Sequence, residues 1–428
     1  MSLRPYLDSL RKSDLLIEIN KKVMLDNEIT QYLQTNNGKA VLFNDVDSSD
    51  YPLVGNILSS RDQIKKALNE EVNYLDVFQQ ALVHPIEPTE SKESLSFQND
   101  KKADLSALPI PKFFPSDGGK YLTSGIVFAQ FPSTQTSNTS IHRIMILNST
   151  KGAIRIVPRD LHNIFSANCK EGLDTPIAVV VGYHPALALA ASSPTSMRES
   201  ELPIANVLMN GSLTLSKTPI YEIAVPTDVE FILEGKILAS EETAEGPFVD
   251  ITGTSDDVRQ QPVIEFERIY HRDNPIFQTI LPAYDEHFIL MGFPREVKIH
   301  NRISSLVPSV HGVYLTPGGS GWLHAVISIT PQNDGDGKQV GLAALEAHPS
   351  LKWCTVVDED IDIYNRMAVE WATITRAGAN DITIIDNARG SSLDPSRNKK
   401  DNTTIKVIVD ATKKGEKEKR GYERIIPF

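Results

Sequence analysis

Apolar and polar positions divide the chain into three textures. In the first, Leu3, Leu7 and Leu10 recur at helical spacing, and Leu15-Leu16-Ile17-Glu18-Ile19, Ala40-Val41-Leu42-Phe43 and Leu53-Val54-Gly55-Asn56 predict short strands, followed by a helix near Ser60–Leu68. This alternation predicts a small α/β domain over residues 1–107. Its end, residues 84–106, is rich in Pro, Ser, Glu, Lys and Asn and reads as a mobile loop or linker. In the second texture, residues 108–290, strand-like runs are short and frequent: Gly125–Ala129, Arg143–Leu147, Ala153–Val157, Ile177–Gly182, Thr218–Pro226, Val229–Leu233 and Val263–Ile269, broken by one helix at Leu202–Met209. That pattern predicts a β-barrel or sandwich with helical insertions. In the third, residues 291–428, α/β alternation returns, with strands at Gly312–Leu315, Ala325–Ile329, Thr355–Asp358 and Thr383–Asp386 and helices at Val340–Ala347 and Asn365–Thr375.

With 428 residues the chain is long enough for two or three domains. At 40% hydrophobic and 23% charged it has a globular composition, and its net charge of -12 disfavours nucleic-acid binding. No apolar window is long enough to span a membrane, and no signal peptide is predicted. Two distant cysteines, Cys169 and Cys354, fit a reducing, cytoplasmic setting. Walker, dinucleotide-binding, nucleophile-elbow and zinc-protease motifs are missing, and Gly318-Gly319-Ser320-Gly321 lacks the lysine of a phosphate loop.

The densest candidate chemistry is Glu245-Gly246-Pro247-Phe248-Val249-Asp250. Gly-Pro stops both helix and central strand, so the two acids sit on a bent loop and can converge. Carboxylates held close in a dry pocket divide into proton donor and charged anchor; in water the same residues are only an acidic turn. Ser137-Asn138-Thr139-Ser140-Ile141-His142-Arg143 offers a hard amide oxygen and a planar guanidinium that can fork onto a carboxylate. Glu201 precedes a helix with Pro203 in its first turn, and is either a cap or an oxygen ligand; with Asn138 it suits Mg²⁺ or Mn²⁺. In Arg155-Ile156-Val157-Pro158-Arg159-Asp160-Leu161-His162, an alternating strand would set Arg155 and Arg159 on one face.

These stretches, with Pro115–Tyr121, Val356–Asp362 and Ser391–Ser396, occur in the order found in the UbiD-type decarboxylases, and the chain resembles that family from Met1 nearly to its C-terminus. The resemblance implies a multi-domain α+β fold: a central split β-barrel, flavin-reductase-like, flanked by N- and C-terminal α/β domains. It implies reversible, non-oxidative decarboxylation with prenylated FMN, Mn²⁺ or Mg²⁺ at the cofactor phosphate and K⁺ as an optional neighbour. It also implies a UbiX-type flavin prenyltransferase as cofactor supplier and a homo-oligomer. By motif position Glu245, Asp250 and Arg143 are catalytic. Asn138, Ser140, Ile141, His142, Arg143, Arg159 and Glu201 bind the cofactor, and Asn138 and Glu201 bind the metal. Where many relatives have a third, histidine, ligand, this chain offers Asp160 or His162, and where many have Glu it has Asp250. The compact length and Phe248–Thr254 look most like the archaeal branch that converts trans-anhydromevalonate 5-phosphate to isopentenyl phosphate. A phosphorylated substrate would need basic groups, for which Arg155, Arg159 and Lys120 are candidates. The competing expectations are an aromatic substrate such as a 4-hydroxybenzoate derivative, or a flavin-binding protein without turnover.

Overall fold

Seven residues, Thr175–Val181, form a strand whose side chains are buried on both faces apart from Pro176, so it belongs in the middle of a sheet. The computed structural model, which describes residues 1–69, 74–132, 134, 136–196, 198–307, 309–413, 422 and 424–426, places it there. Eight strands run in the order Tyr121–Leu122, Ile144–Ile146, Lys151–Ile154, Arg259–His271, Phe231–Glu245, Thr175–Val181, Ile126–Gln130 and Ser137–Ile141. They make the curled half-barrel of a flavin-reductase-like central domain, within a mixed α+β chain. Two long strands, Phe231–Glu245 and Arg259–His271, pair antiparallel along most of their length with register shifts at Glu234/Gly235 and Ile237/Glu242. Such bulges bend a strand and sharpen its twist, which is how a sheet curls. The closed side is filled by Val127, Ile144, Ile154, Val179, Leu233, Ile264 and Phe266, all buried.

The chain divides into two compact units, Met1–Asp250 with Ser255–Leu290, and Ile251–Thr254 with Met291–Phe428. In the first, the N-terminal segment adds a four-stranded sheet, Leu16–Ile19, Ala40–Phe43, Leu53–Gly55 and Phe277–Gln278. The second holds a five-stranded sheet in which His324–Ile329, Trp353–Asp358 and Thr403–Asp410 are parallel, with helices Asp336–Ala347 and Arg366–Arg376. Arg376 is fully buried there and pairs with Asp358 at 3.0 Å and Asp360 at 2.7 Å. Among the described residues no helix is long and apolar enough to cross a membrane, and both cysteines are free.

Three local expectations change. Residues 84–106, expected as a loop or linker, contain the strands Thr89–Glu90 and Asn99–Lys102; the second pairs with Arg268–His271. Backbone hydrogen bonds anchor this polar stretch, and Ala103 and Leu105 bury their side chains in the core. The strand expected over Thr218–Pro226 shrinks to Ala224–Pro226, because Thr218–Glu222 closes a turn. The strand expected over Ala153–Val157 is Lys151–Ile154, ending short of Pro158.

Candidate active site

The bent loop is built by its neighbours. Gly246 adopts φ 107° and the Gly246–Pro247 bond is cis. The loop lies against Gly118, whose N–H donates to the Pro247 carbonyl at 2.7 Å. A Cβ on Gly118 would stand 2.2 Å from the Gly246 carbonyl oxygen, so only glycine allows this approach. Asp117 closes the other side: it is 3% exposed and accepts from the N–H groups of Val249 at 3.1 Å and Phe114 at 3.0 Å. Burial pushes its pKa up, against those two bonds.

Glu245, the last residue of the long strand, and Asp250 both reach the Arg143 guanidinium. Nε and Nη2 donate to Glu245 at 2.9 and 3.0 Å, and Nη1 donates to Asp250 at 3.1 Å. A third acid, Asp256, accepts from Nη2 at 2.9 Å and pairs with Arg259 at 2.6 Å. Four of the five guanidinium N–H groups are thus used, leaving one on Nη1 beside Asp250. The Phe248 ring lies 4.5 Å from the guanidinium carbon and is itself packed on Tyr121, whose hydroxyl donates to Glu245 at 3.1 Å. Burial works against the charge on Arg143, but Glu245 first, then Asp250 and Asp256, more than offset it and raise its pKa. Burial and the Glu245 charge likewise raise Tyr121, which stays protonated. Glu245 is fully buried, whereas the Asp250 side chain is 22% exposed. The first therefore fixes Arg143, and the second is the acid that can meet a substrate.

His287 completes the wall. It is half-buried, and its Nδ1 accepts from the Ala283 N–H at 3.2 Å, which leaves the hydrogen on Nε2. Burial lowers its pKa; the Asp250 charge opposes that and Arg143 adds to it, so the ring is a neutral neighbour of Asp250.

A second cluster lies at the other end of the strand Ser137–Ile141. Glu201 is 4% exposed and accepts from the Thr139 N–H and the Thr195 hydroxyl, both at 2.8 Å. Burial raises its pKa to about 7, with the charge of nearby Asp160 adding to the shift. Asp160 opens the helix Asp160–Lys170, and among the described residues its buried Oδ1 has no hydrogen-bond partner. Asn138 is buried, and its Oδ1 accepts from Ser140 at 3.1 Å. Asn138, Asp160 and Glu201 are thus the candidate oxygen ligands here: Asp160 lies close enough to Glu201 to act on it, and Asn138 precedes Thr139, whose N–H bonds Glu201. Among the described residues no three His, Cys, Asp or Glu side chains form a metal-binding group, so the set rests on two acids and the amide. His162 sits one turn into the helix, 3.5 Å from Ser166. His142 is held by Ser140 and by the Arg155 carbonyl, each at 2.9 Å, and burial lowers its pKa to about 4. Ile141 is half-buried beside it.

One expected relation is not met. Arg155 and Arg159 do not share a strand face, because the strand ends at Ile154 and Arg159, exposed, is the N-cap of the following helix. The pattern of the chain also missed Asp256 and His287. Asp256 sits in the polar run Thr254-Ser255-Asp256-Asp257, which looks like solvated loop, and His287 stands alone on a helix.

The site agrees with what the chain resembles. Three family models, the 3-octaprenyl-4-hydroxybenzoate carboxy-lyase N-terminal, Rift-related and C-terminal domains, match residues 7–82, 87–285 and 288–411. The anhydromevalonate phosphate decarboxylase of Methanothermobacter thermautotrophicus is 40% identical over 414 residues, 96% of each chain. That of Methanosarcina mazei is 39% identical over 440 residues, 100% of this chain and 99% of its own. The UbiD-class enzyme HmfF of Pelotomaculum thermopropionicum, solved with FMN, superposes with a TM-score of 0.96 at 32% identity, covering 100% of this chain and 97% of the other. An evolved dimeric form of it was solved with prFMN. By fold and sequence, the chain belongs to the UbiD family of carboxy-lyases.

Proposed function

We propose that this protein decarboxylates trans-anhydromevalonate 5-phosphate to isopentenyl phosphate and CO₂ with prenylated FMN. The observation that carries the reading is the Arg143 guanidinium, clamped by Glu245, Asp250 and Asp256 over the Phe248 ring at the edge of a flavin-reductase-like half-barrel. Relatives that match nearly the whole chain and carry the name anhydromevalonate phosphate decarboxylase support the substrate.

Loss of CO₂ from an unsaturated acid leaves a carbanion that no side chain can absorb, and the bound prenylated flavin supplies the electron sink. The chain supplies position and protons. The remaining Nη1 N–H of Arg143 receives the substrate carboxylate, and the three acids hold the guanidinium rigid for it. Asp250 delivers the proton to the carbon that loses CO₂, with neutral His287 at its back. Phe248 and Tyr121 keep water from the guanidinium's inner face.

Asn138, Asp160 and Glu201 would hold Mn²⁺ or Mg²⁺, and through it the flavin phosphate, with Ser140, Ile141, His142 and Arg159 around it; the orphaned Asp160 oxygen supports this set. A UbiX-type prenyltransferase would supply the flavin. The test is co-expression with such an enzyme. The purified protein should carry a modified flavin and one equivalent of divalent metal, and release CO₂ from trans-anhydromevalonate 5-phosphate but not from 4-hydroxybenzoate. CO₂ release from the aromatic acid alone overturns the substrate; an Asp160→Ala protein that keeps its metal overturns the ligand set.

A further inference from the structure

Arg155 directly follows the strand Lys151–Ile154, and Arg143 directly precedes its neighbour Ile144–Ile146. Ile154 pairs with Ile144, and one residue further the Arg155 N–H donates to the Arg143 carbonyl at 3.1 Å. Directly opposed residues of antiparallel strands project from the same face, with Cβ atoms roughly 4.5–5.5 Å apart. Continuing the register on the other side sets Arg155 opposite Gln261, and Arg259 lies two residues from Gln261 on that same face, opposite Glu245. Three arginines thus share one patch with Glu245.

The carboxylates of the patch are already committed. Glu245 and Asp250 are bonded to Arg143, and Asp256 to both Arg143 and Arg259. Gln261 is committed to the Ile156 N–H and the Gln260 carbonyl. Arg155 is half-buried, and among the described residues its guanidinium has no hydrogen bond or ion pair. Like charges opposed across strands repel. Burial first, then the neighbouring charges of Arg259 and Arg143, lower the Arg155 pKa, and the nearby charges of Asp256 and Glu245 only partly oppose them. A half-buried guanidinium with no carboxylate bonded to it is matched to an anion from outside the chain.

We propose that Arg155, with Arg259 beside it, is the subsite for the phosphate of a substrate whose carboxylate lies at Arg143. This rests on the phosphorylated substrate proposed above and names what recognises it. The two arginines are direct cross-strand neighbours, with Cβ atoms roughly 4.5–5.5 Å apart, so anions held by both lie within one short molecule's reach. That suits a short-chain acid with a terminal phosphate and leaves a long or bulky acid without its second anchor.

The test compares kcat/KM of the flavin-loaded enzyme for the phosphorylated acid and for the same six-carbon acid without phosphate. It uses wild type, Arg155→Gln and Arg155→Lys at equal flavin content. A charged fork on a phosphate is expected to account for about ten-fold or more in this ratio. The ratio should collapse in Arg155→Gln through KM for the phosphorylated acid. Arg155→Lys should recover part of it, and inorganic phosphate should compete less well with the phosphorylated acid in Arg155→Gln. An unchanged ratio in a wild type that prefers the phosphorylated acid overturns the subsite alone, as does an equal fall for both acids. A wild type that turns over only unphosphorylated acids overturns the substrate reading with it.

Discussion

At the residue scale, the clamp around Arg143 decides most of the site. Glu245 is fully buried, and its charge is tolerable only because two guanidinium N–H groups and the Tyr121 hydroxyl reach it. Removing one partner of such a pair leaves an uncompensated buried charge, at a cost of about 3–5 kcal/mol. Arg143→Gln should therefore lower the melting temperature as well as abolish turnover; a variant as stable as wild type would show that Glu245 is not held as described. Individual residue types announced part of this. Two acids on a Gly-Pro bend and an arginine after Asn138 were legible because Pro247 enforces the bend. Asp256 and His287 were not, since nothing local distinguishes an acid that meets Arg143 across the loop from one facing water.

At the element scale, two segments carry predictions. The bent loop rests on Gly118, and Gly118→Ala would force backbone apart at the Gly246 carbonyl. Overpacking of this kind costs about 1–3 kcal/mol, and the displaced loop should lose activity out of proportion to stability; near-normal activity in Gly118→Ala would mean the loop has room to shift. The second segment is the first turn of the helix Asp285–Ser304, where Glu286 is 1% exposed. Neither carboxylate oxygen has a full hydrogen bond, and burial raises its pKa to about 8, only partly offset by the N–H groups of Asn56, Leu58 and Ile57. The folded protein thus holds this proton in a range where the unfolded chain, with an ordinary value of 4.5, has lost it. Stability from this group is greatest below pH 4.5 and falls as pH rises to about 8. Glu286→Gln, which cannot ionise, should match wild type at pH 5 and exceed it at pH 9 in chemical denaturation; parallel curves would contradict that. Elements were legible where periodicity is strong, as in Thr175–Val181 and the parallel strands after His324. The strand ends at Ile154, short of Arg155 and Pro158, so the face shared with Arg159 never forms; periodicity cannot see where pairing stops.

At the scale of the whole molecule, the mixed α+β fold expected from the chain is present, with a curled sheet, and the N-terminal, Rift-related and C-terminal family models match in that order along it. What periodicity could not supply is which strands neighbour one another. The order that brings Ile144–Ile146, Lys151–Ile154, Arg259–His271 and Phe231–Glu245 side by side is what assembles Arg143, Arg155, Arg259 and Glu245 on one face. The most direct measurement of the account is turnover of trans-anhydromevalonate 5-phosphate by flavin-loaded Asp250→Asn against wild type at equal flavin occupancy. Loss of a positioned general acid predicts a fall of about 10²–10⁴ in kcat with the flavin spectrum retained; turnover within a few-fold of wild type would contradict the role given to Asp250.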